Sequence, residues 1–179
     1  MAEQWGTASV GLLYAAPSLG AMIRGAHIGW ASGVRRHGLA ITWAAALWGV
    51  AIAAFGFARS LWLALIFLAA AGAADMVSGI FRMAVWNQTI PSSIRGRTAA
   101  IEMVSYHTGP SLGNAEAGFA ARLFGVRASV VSGGLLCVAG SLVLAMILPK
   151  FIAYDSTEGV RRRQLDEALF ARVKDATAD

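Results

Sequence analysis

The chain of 179 residues is 57% hydrophobic and only 14% charged, with a mean hydropathy of +0.59. A soluble domain carries roughly 25% charged residues, so an ordinary water-soluble domain is excluded and a lipid bilayer is the expected surrounding. The net charge of +5 and pI near 10.1 would suit nucleic acid in a soluble protein, but the basic residues stand at the ends of apolar runs, which makes lipid headgroups the expected partner and no nucleic acid.

Along the chain, residues 1–7 contain Glu3 but no Lys or Arg and so lack the basic start of a signal peptide. The first apolar run, 10–32, is therefore read as a retained span. A spanning helix needs about 20 mostly apolar residues, and the runs 39–58, 61–86 and 128–148 also qualify. The stretch 98–122 is long enough but carries Glu102, His107, Pro110, Asn114 and Glu116. Charge placement decides its reading. With five spans, Arg35, Arg36, Arg95, Arg97, Lys150 and Arg161 to Arg163 share one side, whereas Arg59, Arg122 and Arg127 fall on the other. Cytoplasmic loops carry such an excess of Lys and Arg.

The expectation is an all-α polytopic membrane helix bundle over 1–150, multi-pass in the cell (inner) membrane, with a cytoplasmic C-terminus. The connections 33–38, 59–60, 87–97 and 123–126 are short, which makes sequential helices antiparallel neighbours. The tail, 151–179, is polar, and Val160, Gln164, Leu165, Ala168, Leu169 and Val173 repeat at helical spacing, as in a short surface helix. Arg162 with Asp166 and Arg163 with Glu167 stand at i,i+4 there.

The spans 39–58 and 128–148 contain no ionisable side chain except Cys137, the single cysteine, so no internal disulfide or cysteine metal site is possible. The other three spans carry Arg24 and His27, Asp75 and Arg82, and the set from Glu102 to Glu116. An intramembrane charge faces a bundle interior or a water-filled path, so the polar helices are expected to be central and the apolar two peripheral. Asp75 and Arg82 lie about 10 Å apart along one helix face, too far to pair unless both side chains reach, with Ser78 and Gly79 in the stripe between them. By depth, Arg24, Arg82 and Glu102 belong to one half of the membrane and form a candidate cluster, while Glu116 lies in the other half. Gly109 and Gly113, Gly25 and Gly29, and Gly133, Gly134 and Gly140 are read as close-packing positions. His27 and His107 are read as packing histidines, with proton carriers as the alternative, and Trp5, Trp30, Trp62 and Trp86 as an interface belt. No phosphate loop ending in Lys-Ser/Thr, no HExxH and no CxxC occurs, so neither an enzyme nor a cofactor or metal is expected.

Six stretches together resemble the enterobactin-exporter-like branch of the major facilitator superfamily, also called the transmembrane secretion effector family. They are GLLYAAPSLGAM (11–22), VRRHGL (34–39), AGAADMVSGIFR (71–82), PSSIRGR (91–97), GPSLGNAEAG (109–118) and RASVVSGGLLCVAG (127–140). The resemblance implies that the spans correspond to helices eight to twelve of a twelve-helix transporter, with helix ten lining the cavity. It also implies efflux of a small-molecule substrate, such as a siderophore or drug, driven by protons. Candidate cavity or coupling residues are Arg24, Asp75, Ser78, Arg82, Glu102, Asn114 and Glu116, and Arg35 and Arg36 mark a candidate gating loop. The loop departs from the superfamily signature because Ala31 stands where its carboxylate falls, and Asn114 replaces a common Asp. An N-terminal half and helix seven have no counterpart here, so a separate N-terminal half or a second copy is the expected partner. A truncated, non-transporting remnant or an assembly partner of another membrane protein is the alternative.

Overall fold

The computed structural model describes residues 7–90, 94–157, 159–161, 163–165 and 168. The architecture is all-helical: α1 (Thr7–Ala26), a 3-10 turn (Ile28–Gly33), α2 (His37–Phe57), α3 (Leu61–Thr89), α4 (Arg95–Phe124), α5 (Val126–Ile147) and a short α6 (Pro149–Ile152). Three of these helices, α2, α3 and α5, are long and apolar enough to cross a membrane. Among the described residues α1 and α4 do not reach that standard. Arg95, Arg97, Glu102, Glu116 and Arg122 lower the hydropathy of α4, which nevertheless runs 30 residues unbroken through Pro110.

The first expected span, 10–32, is not one helix. The α-helix ends at Ala26, His27 leaves helical geometry (φ −104°, ψ 37°), and the chain continues as the 3-10 turn. Gly25, Gly29 and Gly33 make this stretch a poor helix former, and the His27 ring nitrogen is satisfied by the Ile23 carbonyl at 3.0 Å. Two other boundaries follow simple chemistry. The Ser60 hydroxyl accepts from the Leu63 N–H at 3.3 Å and caps α3. Gly125 alone joins α4 to α5, at a φ of +88° that a side chain would oppose.

The helices contact one another as a row in the order α1, α3, α2, α5, α4. The apolar α2 therefore sits in the middle and the polar α1 and α4 at the two ends, the reverse of the arrangement expected from charge alone. Small residues explain the inversion. α2 buries Ala44, Ala46, Gly49, Ala51, Ala53 and Gly56, so it accepts neighbours on two sides, whereas α4 buries no residue. In lipid, helices associate through such close van der Waals contact, not through hydrophobicity. Of the positions expected to pack closely, Gly134 does so and Gly25 meets the Met76 side chain, while the others stand open. A Cβ on Gly134 would lie 2.6 Å from the Ala53 nitrogen, and one on Gly72 would meet the Pro17 carbonyl, yet nothing lies within 4 Å of a Cβ at Gly29, Gly109, Gly113, Gly133 or Gly140.

The three basic segments lie at one end of the row, tied together by the start of the tail. Arg36 and Asp155 form an antiparallel bridge, and the Ser156 N–H donates to the Arg35 carbonyl at 3.1 Å. The Tyr154 hydroxyl donates to Gln88 Oε1 at 3.3 Å, and an Arg163 N–H to the Asn87 carbonyl at 3.1 Å. The i,i+4 pairs expected in the tail involve Arg162, Asp166 and Glu167, which lie outside the described residues, as do Leu169, Val173 and Trp5.

Glycine substitutions separate the used contacts from the unused ones. Gly134→Val should destabilise the chain by about 1 to 3 kcal/mol, because the clash is with backbone that cannot yield. Gly113→Ala should be neutral or stabilising by about 0.5 to 1 kcal/mol, since it removes helical glycine without meeting a neighbour. Thermal unfolding of the two purified variants in one detergent gives the comparison.

Candidate functional site

The row curls at its basic end, bringing the C-terminal half of α3 toward the N-terminal half of α4. A cavity of about 440 Å³ opens between them, lined by Arg82, Val85, Trp86 and Thr89 of α3, Glu102 and Tyr106 of α4, Ile41 of α2 and Phe151 of α6. Both ionisable groups are at its wall. Arg82 reaches back along α3 to Asp75, with N···O 3.7 Å, and its guanidinium carbon lies 5.6 Å from the centre of the Tyr106 ring. The two side chains thus do span the 10 Å of helix between them. Asp75 and Arg82 remain 69% and 45% exposed, so no neighbouring helix covers the pair.

The expected cluster is divided. Arg82 and Glu102 share the cavity, but Arg24 is elsewhere: its guanidinium stacks 3.8 Å above the Trp30 ring, beside a crevice between α1 and α3 lined by Gly20, Ile23, His27, Ala69 and Ala73. Ser78 also leaves the polar stripe. It is buried with Ala71, Ala74 and Phe81 on the face of α3 that packs against other helices. Only Asp75 and Arg82 stay on the open side, with space around a Cβ at Gly79. Asn114 and Glu116 are exposed on α4 in its other half, and among the described residues neither forms an ion pair. Arg35 and Arg36 face the tail instead of the cavity. Asp155, opposite them, is held below the usual carboxylate range, first by the Thr157 N–H that donates to it at 2.8 Å and then by the two guanidinium groups.

Three features escaped sequence reasoning. Trp86 also lines the cavity and Trp30 also packs in the bundle, roles beyond the expected interface belt. Trp30 and His37 both pack on the buried Phe81, with ring centres 5.7 and 5.1 Å away. Tyr106 and Phe151 carried no motif, because their role depends on two helices meeting. The third is the sequence Gly109-Pro110-Ser111-Leu112-Gly113, which has the G-x-S-x-G spacing of a nucleophile elbow. That motif functions on a sharp strand-to-helix turn. Here it lies inside α4, with the Ser111 hydroxyl donating to the His107 carbonyl at 2.8 Å.

The Asp75–Arg82 pair lends itself to a mutational cycle. In water an exposed pair couples by about 0.2 to 1 kcal/mol, whereas an unpaired charge at the centre of a membrane helix costs about 2.5 to 3.5. In lipid nanodiscs, Asp75→Asn and Arg82→Gln should each destabilise, and the double variant should lose less than the sum. A strictly additive double variant would show that the two charges are solvated separately.

Against known protein families, curated proteins and solved structures, the chain finds no match.

Proposed function

We propose that the chain is the C-terminal part of a secondary active exporter of a small molecule, driven by protons, in the cell membrane. The observation that carries this reading is the distribution of charge on the row. Three helices suited to a bilayer support two polar ones, and Asp75, Arg82 and Glu102 line or border an aromatic-walled cavity at the basic end. Ionisable groups at membrane depth mark substrate or ion paths. The identification with an exporter of siderophore-like or drug-like compounds, and the use of protons, rest on the resemblance of the six sequence stretches.

Membrane depth fits the proposed roles. α3 has 29 residues and is about 43 Å long, so it exceeds a hydrocarbon core of about 30 Å. If Leu61 starts at one interface, Asp75 lies about 21 Å along the axis, inside the core, and Arg82 about 31 Å along, at its far edge. A carboxylate inside the core is thereby joined to a guanidinium at the rim by one contact.

The uncovered α4 favours a working assembly larger than this one chain. Thirty residues without a buried side chain, bearing Glu102, His107, Asn114 and Glu116, are poorly suited to face lipid alone. In the active protein this face is covered by an N-terminal half or by a second copy. The same observation favours a second reading, that of an assembly partner for another membrane protein.

Orientation is tested by labelling in a Cys137→Ser background. Ser60→Cys should react with an impermeant maleimide from outside the cell, and Gly96→Cys only after permeabilisation. Reaction of Gly96→Cys from outside would contradict five spans.

Transport is tested in liposomes under a pH gradient, with labelled siderophores and dyes. Gradient-dependent flux is expected only from an assembly in which α4 is covered, and there Arg82→Ala should reduce flux far more than it reduces membrane yield. Flux from a strictly monomeric chain would overturn the need for a partner, and equal loss of flux and yield would assign Arg82 to packing.

A further inference from the structure

Within the wall of the Arg82–Glu102 cavity, one side chain comes from outside the bundle. Phe151 belongs to α6, which follows α5 after a break in helical geometry at Leu148 (φ −114°, ψ 61°) and begins with Pro149, whose missing N–H cannot extend the hydrogen bonding of α5. Beyond it the chain runs across the basic end and is tied to two separate rims. One is the loop before α2, through the Arg36–Asp155 bridge and the Ser156 N–H on the Arg35 carbonyl. The other is the end of α3, through Tyr154 on Gln88.

We propose that residues 149–157 form a hinged strap that closes one side of this cavity and is fastened and released at the contact between Asp155 and the Arg35–Arg36 loop. The character of the contacts separates a strap from a fixed part of the bundle. α6 contains no buried residue, and the strap is fastened by polar bonds at positions that water can reach. Segments with few buried apolar contacts and solvent-accessible hydrogen bonds open at low free-energy cost. The seat is nevertheless specific. A Cβ on Gly38 would collide with the Phe151 carbonyl, so only glycine at the start of α2 lets the strap lie down. Release of the strap carries Phe151 away from Trp86 and Tyr106 and uncovers the cavity without moving any helix of the row. This inference concerns the chain itself and does not require that it transport anything.

The test uses the full chain in nanodiscs, with Cys137→Ser and a reporter, Val85→Cys, in the cavity wall. Asp155→Arg places like charge against Arg35 and Arg36 and should raise the rate of maleimide labelling by about fivefold or more. The swap Arg36→Asp with Asp155→Arg should restore the parent rate, a rescue that general loosening of the fold would not give. Gly38→Val, which unseats the strap from the other side, should raise the rate as Asp155→Arg does. Hydrogen exchange of the unsubstituted chain gives an independent measure, in which the Ser156 amide should exchange at least about a hundredfold faster than amides in the middle of α2. An unchanged labelling rate in both single variants, a swap that fails to restore it, or Ser156 protection equal to that of α2 overturns the strap.

Discussion

Gly72 rests against the carbonyl of Pro17, and Gly134 lies between Gly49 and the backbone of Ala53. At these places helices touch backbone to backbone, and the order of the whole row follows from them. Lipid tails are as apolar as leucine, so no hydrophobic force brings two helices together in a bilayer, and only close contact rewards their meeting. Ala64, Ala71 and Ala44 are almost wholly enclosed for the same reason. The helix with small residues on two faces, α2, thereby becomes the centre, and α4, whose glycines have open space around them, becomes an end.

The position of the charges is a consequence of that packing. α3 turns its small-residue face, with Ser78 and Phe81, toward other helices, and the opposite face with Asp75, Gly79 and Arg82 is left open. Arg82 has one carboxylate within reach on its own helix and one aromatic ring across the gap, so it satisfies itself partly along α3 and partly against Tyr106. Arg24 solves the same problem differently, by stacking on Trp30. A guanidinium is weakly hydrated and planar, and the face of an indole is an effective neighbour where no carboxylate is near.

The basic end gathers three segments that are far apart in sequence. A positively charged loop and the beginning of the tail meet there through backbone contacts of Arg36 with Asp155 and of Arg35 with Ser156, and the end of a long helix joins them through the Tyr154 and Arg163 side chains. Arg35 and Arg36 lack an acidic partner in their own loop, and the tail provides one. The charge asymmetry that marks sidedness in the sequence thus also supplies the attachment for the strap.

Composition and the length of apolar runs determined the all-helical class and the membrane-like character of α2, α3 and α5, because twenty apolar residues in a row have few other stable outcomes. The alternation of basic residues also determined which ends lie together. Helix order was not legible. Gly109 and Gly113 have the same spacing as productive small-residue pairs, and whether a pair is used depends on what stands opposite, which one sequence does not state. Charge chemistry was legible only as a list of residues. Arg24, Arg82 and Glu102 share a depth, but Arg24 is separated from the others by the α1–α3 contact, and Ser78 lies on the wrong face by a fraction of a turn. Tyr106, Phe151 and Asp155 were invisible as site residues, because their roles arise where α3, α4 and the tail converge, and only the tertiary structure sets that convergence.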